Sequence, residues 1–82
     1  MNDVLIDKSV LSRVANMIYL VNGVLPQDIM LQDSLIRDLR MDSVELIDLL
    51  MRLEEIGVNI PETDITRNLT VGDIVQRVRN AA

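Results

Sequence analysis

The run from Val44 to Ile56 constrains this chain more than any other. Leu46, Leu49, Leu50, Leu53 and Ile56 fall on one face of a helix, while Glu45, Asp48, Arg52 and Glu55 recur at i, i+3, i+7 and i+10 on the opposite side. An amphipathic helix stopped by Gly57 is expected, and its apolar face needs other elements to cover it. Asp42 and Ser43 stand at its start, which places Ser43 at a helix N-terminus. Arg52 can pair with Asp48 one turn before it, a contact worth about 0.2–0.5 kcal/mol. Val44, Ile47 and Met51 flank the polar stripe, and Glu54 borders it. Carboxylates edged by exposed aliphatic side chains make a docking surface for basic partners.

The covering elements lie on both sides of this run. Leu11, Val14, Ile18 and Val21, widened by Val10 and Met17, share one face and predict a first helix over about 4–21. Either Asp3 or Asp7 is placed to cap its start, and Asn22-Gly23 to close it in the left-handed conformation. Between residues 22 and 42 the periodicity lapses: Pro26-Gln27-Asp28 allows at most a turn of helix, and Ile29, Leu31, Leu35, Ile36 and Leu39 are scattered as anchors along a loop. Beyond Gly57, Val58-Asn59-Ile60-Pro61 reads as extended, leading into a short third helix over about 62–66. Thr70-Val71-Gly72-Asp73 then has the spacing of a capping box, with Asp in place of Glu. Val71, Ile74 or Val75, and Val78 mark a last helix over about 70–80. The expected architecture is all-α, a small four-helix bundle forming one domain over residues 1–82, with the main amphipathic helix at about 43–56.

Composition narrows the function. Eighty-two residues lie near the lower limit for a single unstapled core, so a large internal site is not expected. The chain has neither Cys nor His, which removes the usual thiolate nucleophile, the commonest neutral-pH base and the commonest metal ligands. No catalytic residue and no metal site is expected. A net charge of -5 argues against nucleic acid, because phosphate binding needs clustered Lys and Arg. No apolar run approaches the roughly 20 residues that span a bilayer, and Asp3 and Asp7 stand where a leader would be basic, so a cytoplasmic location and no membrane contact are expected. Tyr19 is the single aromatic residue; a core of Leu, Ile, Val and Met is adaptable and can open around a small apolar guest.

The pair Asp-Ser occurs twice, as Asp33-Ser34-Leu35 and as Asp42-Ser43-Val44. Only Ser43 has an amphipathic helix behind it, since a helix of that length after Ser34 would swallow the second pair. Alone, such a pair is an ordinary N-cap worth about 1 kcal/mol. It gains meaning from its company: Leu35-Ile36-Arg37-Asp38-Leu39 ahead, the acidic helix behind, then the Ile60-Pro61 linker and the capped last helix. In these features the chain resembles the acyl and peptidyl carrier proteins, whose signature is an Asp-Ser-Leu-type triplet opening the second of four helices. The resemblance covers most of the chain.

The resemblance implies that Ser43 is esterified with 4'-phosphopantetheine taken from coenzyme A. Acyl or aminoacyl intermediates then ride on the terminal thiol as thioesters, presented to partners in fatty acid, polyketide or hybrid peptide–polyketide biosynthesis. Such a carrier is non-catalytic and monomeric, and the base that activates Ser43 comes from the phosphopantetheinyl transferase. Asp42, Val44, Glu45, Ile47, Asp48, Met51, Glu54 and Glu55 are the implied contact residues for that transferase and for loading, synthase and tailoring enzymes with basic patches. Leu46, Leu50, Leu53, Ile60, Ile65 and Leu69 either pack the core or also line a cleft for an acyl chain. Three departures stand out: Arg40 where the family usually has Gly, Val44 for the common Leu, and Arg52 interrupting the acidic face. They point to a pathway-specific carrier whose partners read a modified surface. The competing reading is an unmodified acidic adaptor that binds a basic partner through the same helix.

Overall fold

A computed structural model describes the backbone of residues 2–81 and the side chains of residues 9–81. Three α-helices carry the fold: α1, Asn2–Asn22; α2, Ser43–Glu55; and α3, Val71–Ala81. Two single 3-10 turns lie between them, at Pro26–Asp28 and Glu62–Asp64. Among the described residues there is no strand, only an isolated antiparallel bridge between Ser34 and Thr70. The chain is all-α, as expected. Helix α1 packs against both α2 and α3. Its backbone is already helical at Asn2, so Asp3 and Asp7 fall inside the helix and not at its cap; their side chains lie outside the described residues, as do Met1 and Ala82.

One core joins all three helices. Val10, Val14, Ala15 and Ile18 of α1 meet Leu49 and Leu53 of α2 and Val71, Ile74, Val75 and Val78 of α3. The connections add Ile29, Leu35, Leu39, Met41, Val58, Ile60 and Leu69. Helix α2 is closed at both ends by its own sequence. Asp42 accepts from the Glu45 backbone N–H at 2.8 Å while Glu45 accepts from the Asp42 N–H at 3.2 Å, a reciprocal capping box. At the other end Gly57 adopts φ +87°, donating to the Glu54 carbonyl as Val58 donates to the Leu53 carbonyl. That is a Schellman closure, with buried Val58 against buried Leu53. Ile56 is the C-cap of this arrangement and is left exposed, so it does not belong to the core face that its spacing suggested.

The expected short third helix over 62–66 is a single 3-10 turn. Ile65 leaves the helical region at ψ 85°, and Thr66 folds back to donate to the Asp64 carbonyl, so the turn cannot propagate. Arg77 of α3 pairs with Asp64 and holds the turn in place.

The long loop is strapped to the start of α3. The Leu31 and Asp33 carbonyls accept from the N–H groups of Gly72 and Val71, and Thr70 and Asp73 complete a capping box. Every orphan donor of the first turn of α3 is thereby satisfied. Gly72 has a reason to be glycine: a Cβ there would sit 3.1 Å from the Leu31 carbonyl oxygen. Ile29, Leu35, Leu39 and Met41 anchor the loop, whereas Leu31 stays exposed.

Arg40 lies between buried Leu39 and buried Met41 at φ +56°, the left-handed region that costs an L-residue about 1–2 kcal/mol. The Gly usual at this place in carrier proteins would avoid that cost. Replacement also loosens the unfolded chain, by about 0.4–1 kcal/mol. Arg40→Gly is therefore expected to stabilise the domain by a net amount of about 0.5–1 kcal/mol in urea unfolding. A loss of stability would mean that the Arg40 side chain itself holds the loop.

Candidate functional site

Ser43 is the first residue of α2 and is exposed. Position and exposure have separate causes. The buried side chains of Leu39 and Met41 bring the loop onto the bundle, and Asp42, in extended conformation at ψ 177°, turns it into the helix. Because Asp42 supplies the cap, the Ser43 hydroxyl is left out of the capping bonds. The backbone N–H groups of Ser43 and Val44 have no acceptor among the described residues. No base is positioned to take a proton from Ser43. Asp42 is committed to the Glu45 N–H, and the chain has no His.

Ser34 is the opposite case. It is buried, its hydroxyl donates to the Arg67 carbonyl at 2.6 Å and accepts from the Arg37 N–H at 3.1 Å, and its own N–H donates to Asp38 at 2.7 Å. Asp33-Ser34-Leu35 is a structural knot that ties the loop to the segment before α3. No visiting active site can reach that hydroxyl without opening the loop.

The residues expected to meet partners divide into two groups. Val44, Ile47 and Met51, at i, i+3 and i+7, form one exposed stripe and are 73%, 57% and 61% accessible. Asp42, Glu54 and Glu55 are exposed as well. Glu45 and Asp48 are only half-exposed and already engaged. Asp48 accepts from Arg52 Nε at 3.0 Å, and the Glu45 carboxylate accepts from both the Asp42 N–H and the Asn22 side-chain amide. The apolar stripe is thus more open than the acidic one.

An open cleft of about 440 Å³ begins at Ser43 and runs between α2 and the Glu62–Asp64 turn, lined by Leu46, Ile47, Leu50, Ile60, Glu62 and Ile65. Four of the six residues expected there, Leu46, Leu50, Ile60 and Ile65, do line it. Leu53 and Leu69 do not: Leu53 is fully buried in the core, and Leu69, also buried, borders a separate hollow with Asp64 and Arg77. Ile47 and Glu62 were not expected in the cleft. Periodicity assigned Ile47 to the outer stripe, and it serves both because it sits at the border of the two faces. Glu62 is polar and offers no pattern, although its place just after Ile60-Pro61 is the signal that could have marked it.

The chain also matches known proteins in sequence. Residues 12–78 match the family described as a phosphopantetheine attachment site. The acyl carrier protein of Chlamydia trachomatis is 40% identical over 58 residues, covering 70% of this chain and 75% of that protein. The meromycolate extension acyl carrier protein of Mycobacterium tuberculosis is 30% identical over 73 residues, 88% of this chain and 64% of that protein. The chain belongs to the acyl carrier protein family, non-catalytic carriers whose prosthetic group is 4'-phosphopantetheine and which work with phosphopantetheinyl transferases and biosynthetic enzymes.

Proposed function

We propose that Ser43 is the residue of this chain that carries 4'-phosphopantetheine, and that the domain shuttles acyl or aminoacyl thioesters among enzymes of fatty acid, polyketide or hybrid peptide–polyketide assembly in the cytoplasm. The observation that supports this most is the contrast between two serines: Ser43 is exposed at the mouth of an apolar cleft, and Ser34 is buried and fully bonded. The residues fit the group, because a primary alcohol open to solvent adjoins a groove of aliphatic side chains. When bound, the group supplies a terminal thiol on a flexible arm, where an acyl chain is held as a thioester. Leu46, Ile47, Leu50, Ile60 and Ile65 offer that chain an apolar surface in place of water, worth about 25 cal/mol per Å² covered. The unpaired N–H groups of Ser43 and Val44 favour an anion at the helix start by about 0.3–1 kcal/mol, against which Asp42 and Glu45 act.

Incubation with coenzyme A and a broad-specificity phosphopantetheinyl transferase, followed by intact mass measurement, tests this reading. A gain of one phosphopantetheinyl unit is expected. No gain would return the unmodified adaptor to first place.

Docking follows from the same surface. Since Arg52 neutralises Asp48, the charges that steer a basic partner are those of Glu54 and Glu55, and Met51 supplies apolar contact. Glu54→Lys/Glu55→Lys is expected to slow association with the transferase about 10-fold at low salt, with the difference vanishing near 1 M salt. Met51→Ala should act on dissociation instead. A salt-independent effect of the charge reversal would contradict this division of labour.

A further inference from the structure

Among the described residues, one side-chain hydrogen bond joins α1 to α2: Asn22 Nδ2 donates to Glu45 Oε1 at 2.9 Å. The oxygen it reaches is the one that accepts from the Asp42 N–H at 3.2 Å, and Asp42 Oδ1 in turn accepts from the Glu45 N–H at 2.8 Å. Four groups are therefore linked in a chain: the Asn22 amide, the Glu45 carboxylate, the Asp42 backbone and the Asp42 carboxylate. Ser43 lies inside the turn that this network closes. The other α1–α2 contact is apolar packing, which fixes separation but is non-directional. A charge-assisted hydrogen bond fixes direction as well.

Asn22 is well placed to supply it. It is the last residue of α1, and Gly23 closes that helix behind it with φ +87° and an N–H donated to the Tyr19 carbonyl at 2.8 Å. Its backbone is thus held while its side chain reaches across. On the α2 side, the approach to Ser43 runs through Arg40 in its left-handed conformation, a strained segment that gains from an external anchor.

We propose that Asn22 is a positioning residue for Ser43: its amide holds the Glu45 carboxylate, and through it the capping turn that presents the serine to the transferase. This rests on the reading of Ser43 as the attachment residue. It concerns presentation and not chemistry, since Asn22 itself touches neither the serine nor the arm.

The test compares loss of the amide donor at residue 22 with its retention. Asn22→Asp sets a carboxylate against the Glu45 carboxylate, two acceptors with no proton between them. Asn22→Gln keeps an amide donor on a longer arm, which can still reach the one Glu45 oxygen that also accepts from the Asp42 N–H, and leaves Glu45 itself unchanged. In Asn22→Asp, kcat/KM for phosphopantetheinyl transfer from coenzyme A is expected to fall about 10-fold. Amide exchange at Glu45 and Leu46 should quicken by a similar factor, while Leu49 and Leu53, in the core, keep theirs. Asn22→Gln should keep both readouts within about threefold of wild type. Uptake by the wild type with an unchanged rate in Asn22→Asp, or an equal loss in Asn22→Gln and Asn22→Asp, would overturn this proposal alone. Failure of the wild type to take up the group would overturn the reading of Ser43 and this proposal with it.

Discussion

Ser43→Ala is expected to abolish uptake of the phosphopantetheinyl group and to change the unfolding free energy by no more than about 0.5 kcal/mol. Ser34→Ala is expected to do the reverse: full uptake, with a loss of about 1–2 kcal/mol. The asymmetry comes from the different bonding of the two hydroxyls. Asp42, not Ser43, caps α2, so nothing in the fold depends on the Ser43 oxygen. Removing the Ser34 oxygen leaves the Arg67 carbonyl and the Arg37 N–H without their shared partner and loosens the bridge to Thr70 that sets the loop against α3. Intact mass and urea unfolding on the same two variants read both halves. Uptake lost in Ser34→Ala but kept in Ser43→Ala would reverse the roles given to these residues.

Leu53→Ala is expected to cost about 2–5 kcal/mol, a large part of the roughly 5–15 kcal/mol by which such domains are stable. Leu53 is fully buried where α2 faces the shared core, and its carbonyl accepts the bonds that close the helix. The removed methyl groups leave a void that three helices border, with little freedom to collapse. In thermal unfolding the loss corresponds to a fall of about 10–30 °C. Two residues earlier, Met51→Ala should move the midpoint by less than about 4 °C, because that side chain stands largely in water. If Leu53→Ala unfolded near the wild-type midpoint while emptying the cargo groove, Leu53 would belong to the cleft and the division between core and groove would be wrong.

Much of the scaffold was legible in the sequence, because helices write themselves locally. The 3.6-residue recurrence of Leu46, Leu49, Leu50 and Leu53 marked α2, and Asn22-Gly23 and Gly57 marked two ends where a positive φ is needed. Periodicity could show which side of α2 is apolar but not that this side is split, with Leu49 and Leu53 facing the core and Leu46 and Leu50 facing the groove. That division depends on where the 3-10 turn lands, which is set by contacts such as Arg77 with Asp64. The two Asp-Ser pairs were separable only by the pattern downstream, helical after Ser43 and broken after Ser34. The physical reason Ser34 is unavailable lies 33 residues away at Arg67, and a pairing at that distance leaves no local trace. Asn22 is similar: its capping role beside Gly23 was readable, its reach to Glu45 was not. Arg40 stood out only against a family habit, and φ +56° supplies the reason for that habit.

Trypsin separates the two serines cleanly, since cleavage after Arg13, Arg37, Arg40 and Arg52 puts Ser34 in the peptide Val14–Arg37 and Ser43 in Met41–Arg52. Fragmentation mass spectrometry of these peptides, from protein purified out of its native cells, tests the central claim directly. The phosphopantetheinyl group should be found on Met41–Arg52, at Ser43, with Val14–Arg37 unmodified. The group on Ser34, or both peptides bare, would contradict it.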